Sequence, residues 1–193
     1  WSSITGGRNN KATGDYSYIG GGGGENALDG NIAVAHYSAI LGGLNNLAGD
    51  GVRVYDSTVS REVFTETSNP DRNIGMQAAI SGGFVNHASG NYSSVTGGRE
   101  NASSGDWSSI SGGVNNKARG DFSYIGGGGG DDALDGNIAV AHYSAILGGL
   151  NNLAGDGSKG LGVTSIGYRD IMKETTNPDR NIGMRAAING GFI

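Results

Sequence analysis

One phrase recurs along this chain, and its clearest copy is Tyr92-Ser93-Ser94-Val95-Thr96-Gly97-Gly98-Arg99-Glu100-Asn101-Ala102-Ser103-Ser104-Gly105-Asp106. Its aliphatic residue returns every 15 residues, at Ile80, Val95, Ile110 and Ile125. Helical repeat units are longer, about 33 to 47 residues, whereas a unit this short suits one coil of strands and turns. The phrase therefore predicts an all-β fold, a parallel β-solenoid or β-roll of about 15-residue coils with inserted loops.

Strand alternation assigns each position of the phrase to the inside or the outside of a coil. Val95 points inward, and the pairs Gly97-Gly98 and Gly105-Asp106 form the two corners. One aliphatic and one small residue per coil make a thin core, so we expect hydrogen bonds between coils and burial against neighbouring chains to contribute. The predicted core ladder is Ile4, Ile19, Ile40, Ile80, Val95, Ile110, Ile125, Ile146 and Ile188.

An asparagine follows the aliphatic residue by six places in most coils. When coils stack at about 4.7 to 4.9 Å, identical amides superpose and bond along the stack. We interpret the column as a structural ladder, with a row of sugar-binding amides as the alternative. Its members are Asn10, Asn46, Asn86, Asn101, Asn116 and Asn152.

An aromatic residue precedes the aliphatic residue by three places, and this odd spacing puts it outside the coil. Exposed aromatic rows are common at protein interfaces. We therefore expect a homo-oligomer, a homotrimer packed about one axis, and the alternative is a carbohydrate-binding strip. The row is Trp1, Tyr16, Tyr37, Tyr92, Trp107, Phe122 and Tyr143.

The chain is also a duplicated module. Trp1-Ser2-Ser3-Ile4 returns as Trp107-Ser108-Ser109-Ile110, and the match continues to Gly49 and Gly155. The first module covers residues 1–105 with insertions at 20–35 and 50–75. The second covers residues 106–193 with insertions at 126–141 and 156–183, and it is incomplete at its end, so we expect the chain to be a piece of a longer protein.

The shorter insertion of the second module contains a calcium-type motif. Residues 127–135 fit the nonapeptide GGxGxDxUx, in which each ion is shared between successive turns. Because each module has a single copy, we favour a glycine-rich loop that wraps the rod or a neighbouring subunit and holds no cofactor. The alternative is a calcium site at Asp131, Asp132 and Asp135.

The longer insertions carry much of the charge, and their interiors differ between the modules while both flanks stay nearly identical. Loops held on a rigid scaffold are where recognition usually occurs. We predict that these loops bind a partner, either a protein or a glycan of a host surface. The candidate residues are Arg53, Tyr55, Arg61, Lys159, Tyr168 and Arg169.

Composition narrows the function classes. Glycine supplies 39 of 193 residues, but without the Gly-X-Y period of collagen. A net charge of −5 without a Lys/Arg cluster argues against nucleic acid, and no apolar run approaches the roughly 18 residues of a membrane span. No catalytic arrangement can be argued from the spacing of carboxylates or of Ser, His and Asp, so we predict no catalytic residues.

The run Ala88-Ser89-Gly90-Asn91-Tyr92-Ser93-Ser94-Val95-Thr96-Gly97, with its copies ending at Gly6, Gly112 and Gly127, resembles the head repeats of trimeric autotransporter adhesins and the related β-rolls of bacterial surface proteins and phage tail fibres. The resemblance implies a left-handed parallel β-roll that trimerises into a rod with adhesive surfaces. The family phrase places the aliphatic residue directly before glycine, whereas Thr96 intervenes here.

We therefore predict a non-enzymatic, extracellular, fibrous β-solenoid segment, a structural rod and adhesin that displays binding loops on a cell surface. One alternative is the shaft or receptor-binding part of a phage tail fibre on a virion surface. The alternative from another class is a β-solenoid polysaccharide-degrading enzyme with catalytic acids on the insertions.

Overall fold

The structure is a computed structural model that describes residues 1–57, 60–164 and 167–189, and only the backbone of residues 62, 158–164 and 167–173. Within these ranges every regular element is a β-strand except one turn of 3₁₀-helix, η1 (Ala27–Asp29). The predicted all-β class is confirmed, and the parallel strands of two stacked sheets have the architecture of a β-solenoid.

The first sheet contains nine described parallel strands of two residues each, and each ends on the aliphatic residue of the repeat. Neighbouring strands are in register, so that Val95 lies opposite Ile80 on one side and Ile110 on the other. The strands are β1 (Ser3–Ile4), β3 (Tyr18–Ile19), β5 (Ala39–Ile40), β9 (Ala79–Ile80), β11 (Ser94–Val95), β13 (Ser109–Ile110), β15 (Tyr124–Ile125), β17 (Ala145–Ile146) and β21 (Ala187–Ile188).

The second sheet contains eight described parallel strands, and each ends on the small residue of the repeat. The strands of the two sheets alternate along the chain, so each coil contributes one short strand to each sheet. These strands are β2 (Lys11–Ala12), β4 (Ile32–Ala33), β6 (Leu47–Ala48), β10 (His87–Ala88), β12 (Ala102–Ser103), β14 (Lys117–Ala118), β16 (Ile138–Ala139) and β18 (Leu153–Ala154).

Two antiparallel hairpins leave the coil stack at equivalent places in the two modules. The first pairs β7 (Gly51–Asp56) with β8 (Arg61–Glu66), and the second pairs β19 (Gly157–Thr164) with β20 (Gly167–Glu174). Both lie within the longer insertions, which the sequence indicated only as loops. The shorter insertion at 20–35 is narrower than its predicted bounds, because Ile32 and Ala33 already form a coil strand.

The core lies between the two sheets and closes within a single chain. Seven members of the predicted ladder, from Ile19 to Ile146, are buried against the small residues of the second sheet. Ile188 is partly buried, and Ile4 departs from the prediction because it is 44% exposed. Its strand β1 is at the edge of the first sheet and pairs on one side only. Burial of this aliphatic column therefore does not require a second chain.

Three left-handed positions turn the corners of a regular coil: the second glycine of the pair, the residue two places after it, and the aromatic position at the other corner. Gly98 and Gly113 have φ of 83° and 84°, as the glycine pair predicts, although their preceding partners Gly97 and Gly112 do not. At the other corner the aromatic residues themselves take positive φ, for example 54° at Trp107. Bulky residues rarely adopt this region, so the stacked coils hold these aromatic residues in a conformation that they would seldom take in isolation.

Candidate functional site

The first hairpin folds back over the outer face of the second sheet. Phe64 of β8 is buried in a cluster with Val34, Leu47 and Val85. The backbone of Phe64 also makes two hydrogen bonds with the side-chain amide of Asn45. The Phe64 N–H donates to Asn45 Oδ1 at 2.6 Å, and the Phe64 carbonyl accepts from Asn45 Nδ2 at 3.3 Å. The hairpin is therefore a docked element, packed on the coil stack.

Two of the predicted partner-binding residues contribute to this docking. Arg61 pairs with Asp29 and lies over the ring of Phe84, with 4.8 Å from guanidinium carbon to ring centroid. Arg53 pairs with Glu100 at 2.7 Å. Both guanidinium groups are therefore engaged within the chain.

The other predicted partner-binding residues lie elsewhere on the hairpins. Tyr55 is 66% exposed on β7 and is free of such docking contacts in the described part of the chain. Lys159, Tyr168 and Arg169 belong to strands of the second hairpin, and their side chains lie outside the described residues. Tyr55 is thus the described member of the set that presents most of its surface to solvent.

A cavity lies beneath each hairpin, and the two cavities occupy equivalent positions in the duplicated modules. The first, of about 230 Å³, is lined by Lys11, Leu28, Ile32 and Glu66 among others. The second, of about 250 Å³, is lined by the matching residues Lys117, Leu134, Ile138 and Glu174, together with Arg119. The end of each hairpin and the neighbouring shorter insertion therefore build the same kind of site twice.

The charges in the two cavities are arranged differently. In the first cavity, Glu66 pairs with Lys11 and accepts a hydrogen bond from Thr13 Oγ1 at 3.0 Å. In the second, Arg119 takes the place of Thr13 and pairs with Glu174.

Lys117 has no carboxylate partner among the residues that the structure describes. Burial lowers the pKa of Lys117, and the positive charges of Arg119 and Arg53 lower it further. Burial likewise lowers the pKa of Arg119, with a further contribution from Arg180. The second cavity therefore contains a partly desolvated cluster of positive charge.

The asparagine column is a continuous ladder of buried amides. Asn101 N–H donates to Asn86 Oδ1 at 3.0 Å, and Asn116 N–H donates to Asn101 Oδ1 at the same distance. The sequence prediction missed two members, Asn31 and Asn137, which continue the column in the coils with the shorter insertions. The signal was available, since Asn31-Ile32-Ala33 repeats the pattern of Asn46-Leu47-Ala48. These amides are satisfied inside the corner, which agrees with the structural interpretation.

The aromatic row is an exposed ladder of stacked rings. Tyr92, Trp107, Phe122 and Tyr143 form one continuous stack, with centroids 4.8 to 5.1 Å apart and planes within 3°. Parallel rings at this distance are stacked on one another, so the two inner rings have a neighbour on each face and present their edges. Each ring in this stack is 43 to 51% exposed.

The row is interrupted where the repeat lacks an aromatic residue. Tyr16 and Tyr37 form a separate stacked pair at 5.1 Å, and Gln77 takes the equivalent left-handed corner before Tyr92. Trp1 is almost fully exposed. Sugar rings stack on the faces of aromatic side chains, and here both faces of Trp107 and of Phe122 meet a stacked neighbour. The geometry thus favours contact through ring edges over the alternative of a carbohydrate-binding strip.

The calcium candidates do not converge. Asp131 is directed to Arg99, with 2.6 Å between carboxylate and guanidinium, and its side chain is 92% exposed. The described residues contain no group of three or more His, Cys, Asp or Glu side chains placed to hold a metal ion.

No protein-family model matches the sequence, and no curated protein is significantly similar to it. In the described part of the chain, no helix has the length and apolar character needed to cross a membrane. The fold defines the class, a duplicated β-solenoid from which two antiparallel hairpins leave, the first of them docked on the coil stack.

Proposed function

We propose that this chain is a non-enzymatic segment of an extracellular fibrous adhesin, a structural rod that displays its two hairpins on a cell surface. The observation that carries the proposal is the uninterrupted register of the first sheet, in which like residues stack from β1 to β21 although the insertions between coils differ in length. Coils that tolerate insertions without losing register are suited to carry display elements.

The position of the hairpins supports the same role. Each leaves the stack directly after a coil strand, β6 or β18, at equivalent places in the two modules. Their spacing along the rod repeats with the module, so a longer array would present them at regular intervals. Arg53 and Arg61 hold the first hairpin in one orientation, which reduces the entropy cost of binding a partner.

We further propose that the rod is a homotrimer in which the aromatic row lies at or near the contact between chains. The outer face of the first sheet offers small side chains beside that row, among them Ala39, Ala79, Ser94 and Ala145. Small residues allow close approach of a second sheet, and exposed aromatic edges supply apolar area for burial.

Two measurements test the proposal. Analytical ultracentrifugation is expected to give the mass of three chains, and the immobilised protein is expected to bind cultured epithelial cells. Tyr55→Ala, at the exposed edge of the first hairpin, is expected to weaken cell binding, whereas Leu41→Ala, a similarly exposed apolar residue on the rod, leaves it unchanged.

Two outcomes would contradict the proposed trimer or the proposed non-enzymatic role. A monomer at micromolar concentration contradicts the trimer. New reducing ends or unsaturated products after incubation with capsular or plant polysaccharides would indicate the enzymatic alternative.

A further inference from the structure

The two cavities beneath the hairpins differ at one position that decides their charge. Thr13 in the first module corresponds to Arg119 in the second. In the first cavity Glu66 neutralises Lys11. In the second cavity the equivalent glutamate, Glu174, pairs with Arg119 instead. Lys117 is left without a carboxylate among the described residues.

The surroundings of Lys117 make this charge costly without a counter-ion. Lys117 is in strand β14, in the interior of the second sheet, and it is partly buried. Burial lowers the pKa of Lys117 by disfavouring its charged form, and the positive charges of Arg119 and Arg53 lower the pKa further. A partly desolvated ammonium with like-charged neighbours is stabilised by an anion.

The rest of the cavity restricts what the anion can be. Leu134 and Ile138 supply an apolar wall, and Asn115 secures the adjoining loop by donating from Nδ2 to Gly130 O at 2.8 Å and to Asp132 O at 3.2 Å. Glu174 adds a carboxylate oxygen, Oε2, that has no hydrogen-bond donor in the described part of the chain. The cavity thus combines a cation, a hydrogen-bond acceptor and an apolar wall in a volume of about 250 Å³.

We propose that this cavity binds an acidic sugar residue. The sugar carboxylate pairs with the Lys117 ammonium, a ring hydroxyl donates to Glu174, and the C–H face of the ring packs on Leu134 and Ile138. The first cavity lacks the free ammonium and does not bind the acid. This inference rests on the proposed adhesive role for its biological setting, and it gives the chemical class of the glycan that the rod recognises.

The test is isothermal titration calorimetry of the full chain with glucuronate at low ionic strength. We expect glucuronate to bind at a single site per chain, and neutral glucose and propionate to bind at least about tenfold more weakly, since each lacks one of the paired groups. Glucose lacks the carboxylate, and propionate lacks the hydroxyls and the sugar ring.

Two variants locate the site, and one variant serves as a matched control. Lys117→Met keeps the aliphatic stem and removes the charge, so glucuronate affinity is expected to fall at least about tenfold. Arg119→Thr restores the arrangement of the first cavity, in which the glutamate is free to pair with the lysine, and is expected to have the same effect. Lys11→Met removes the already neutralised ammonium of the first cavity and is expected to leave affinity unchanged.

Several results would overturn the inference. They are absence of glucuronate binding by the unmodified protein, equal binding of glucose or propionate, or undiminished binding by Lys117→Met. Loss of glucuronate binding in Lys11→Met would place the site in the cavity of the first module. Because trimer mass and cell adhesion are measured separately, a protein that forms the rod and adheres but ignores glucuronate contradicts this inference alone.

Discussion

The side-chain oxygen of Asn86 accepts a hydrogen bond from the backbone N–H of Asn101 at 3.0 Å. The Asn101 amide then donates at 3.0 Å to Gly97 O within its own coil and at 2.9 Å to Gly113 O in the next. Through its backbone N–H and its side chain together, one buried asparagine therefore ties together three successive coils. This role explains how a stack with a single aliphatic residue per coil in its first sheet holds its register.

The ladder is expected to be a major source of stability. Asn101→Ala removes the acceptor of Asn116 N–H and the donor of two carbonyls inside a buried corner, so we expect it to lower the free energy of unfolding by about 3 kcal/mol. Urea unfolding followed by circular dichroism measures this loss. Ser104→Ala, an exposed change in the same coil, is expected to stay within about 0.5 kcal/mol. Equal stability of the two variants would show that the ladder is dispensable.

Two neighbouring glycines of one corner are expected to differ strongly in how far their replacement by alanine destabilises the protein. Gly113 has a φ of 84°, and a Cβ there would lie 2.2 Å from Gly128 O, so Gly113→Ala is expected to destabilise the protein by at least about 2 kcal/mol. At Gly112 a Cβ meets nothing within 4 Å, and Gly112→Ala is expected to be nearly neutral. Thermal unfolding of both variants checks the contrast, and similar melting temperatures would contradict the close coil contact.

Stability is expected to depend on pH through His87. Its Nε2 donates to Gly49 O at 2.9 Å, and its ring contacts Phe64 of the docked hairpin with centroids 4.9 Å apart. Burial lowers the pKa of His87 below 6.5, and it outweighs the opposing effects of the Gly49 hydrogen bond and of Asp50, while Arg53 lowers the pKa further.

The sign of the effect follows from proton binding. Between the lowered folded pKa and the unfolded value of about 6.5, the unfolded chain binds more protons, so the contribution of His87 is complete above about pH 6.5 and declines as the pH falls. Chemical unfolding of the unmodified protein and of His87→Leu between pH 7.5 and pH 5 measures this contribution. Leucine is chosen because it already occupies the equivalent position, Leu47, on the neighbouring strand. The free energy of unfolding of the unmodified protein, relative to that of the variant, is expected to decrease as the pH is lowered. A difference between the two proteins that stays constant with pH would contradict the argument.

Self-association is expected to depend on the aromatic stack. Trp107→Asn removes a central ring but suits the corner, because asparagine tolerates positive φ and already adopts it at Asn115 and Asn151. We expect the variant to fold and its trimer to dissociate at concentrations at least about tenfold higher than the unmodified protein. Sedimentation velocity over a dilution series measures this, with Tyr55→Asn as a control outside the row. A trimer of unchanged strength would remove the aromatic row from the interface.

The periodic features were predictable because each depends on contacts between equivalent residues of adjacent coils. Val95, for example, meets Ile80 and Ile110, and every copy of the phrase specifies the same contact. Prediction failed where the period changed. Asn31 was overlooked because six additional residues shift its distance from Asn10 to 21 places, although it makes the same hydrogen bond.

The candidate site was less accessible to prediction from sequence. The outward positions of the second sheet include apolar residues such as Ile32 and Leu47, and this was a signal that another element covers them. The sequence did not indicate which element, because the docked hairpins have no period. As a result Arg53 and Arg61, predicted to face a partner, hold the hairpin to the coils.

The repeated phrase alone specifies the coil, its inward aliphatic residue, its asparagine corner and its outward aromatic residue, since a local pattern repeated in register specifies its own stacking. The folded chain was needed to show where the first hairpin docks, which cations pair with Glu66 and Glu174, and that the Lys117 ammonium has no carboxylate partner among the described residues. Contacts such as Arg61 with Asp29 and Arg119 with Glu174 join residues 32 and 55 places apart that no repeat relates. These residues pair only once the folded chain brings them together, because proximity and desolvation then select one partner among several charged side chains.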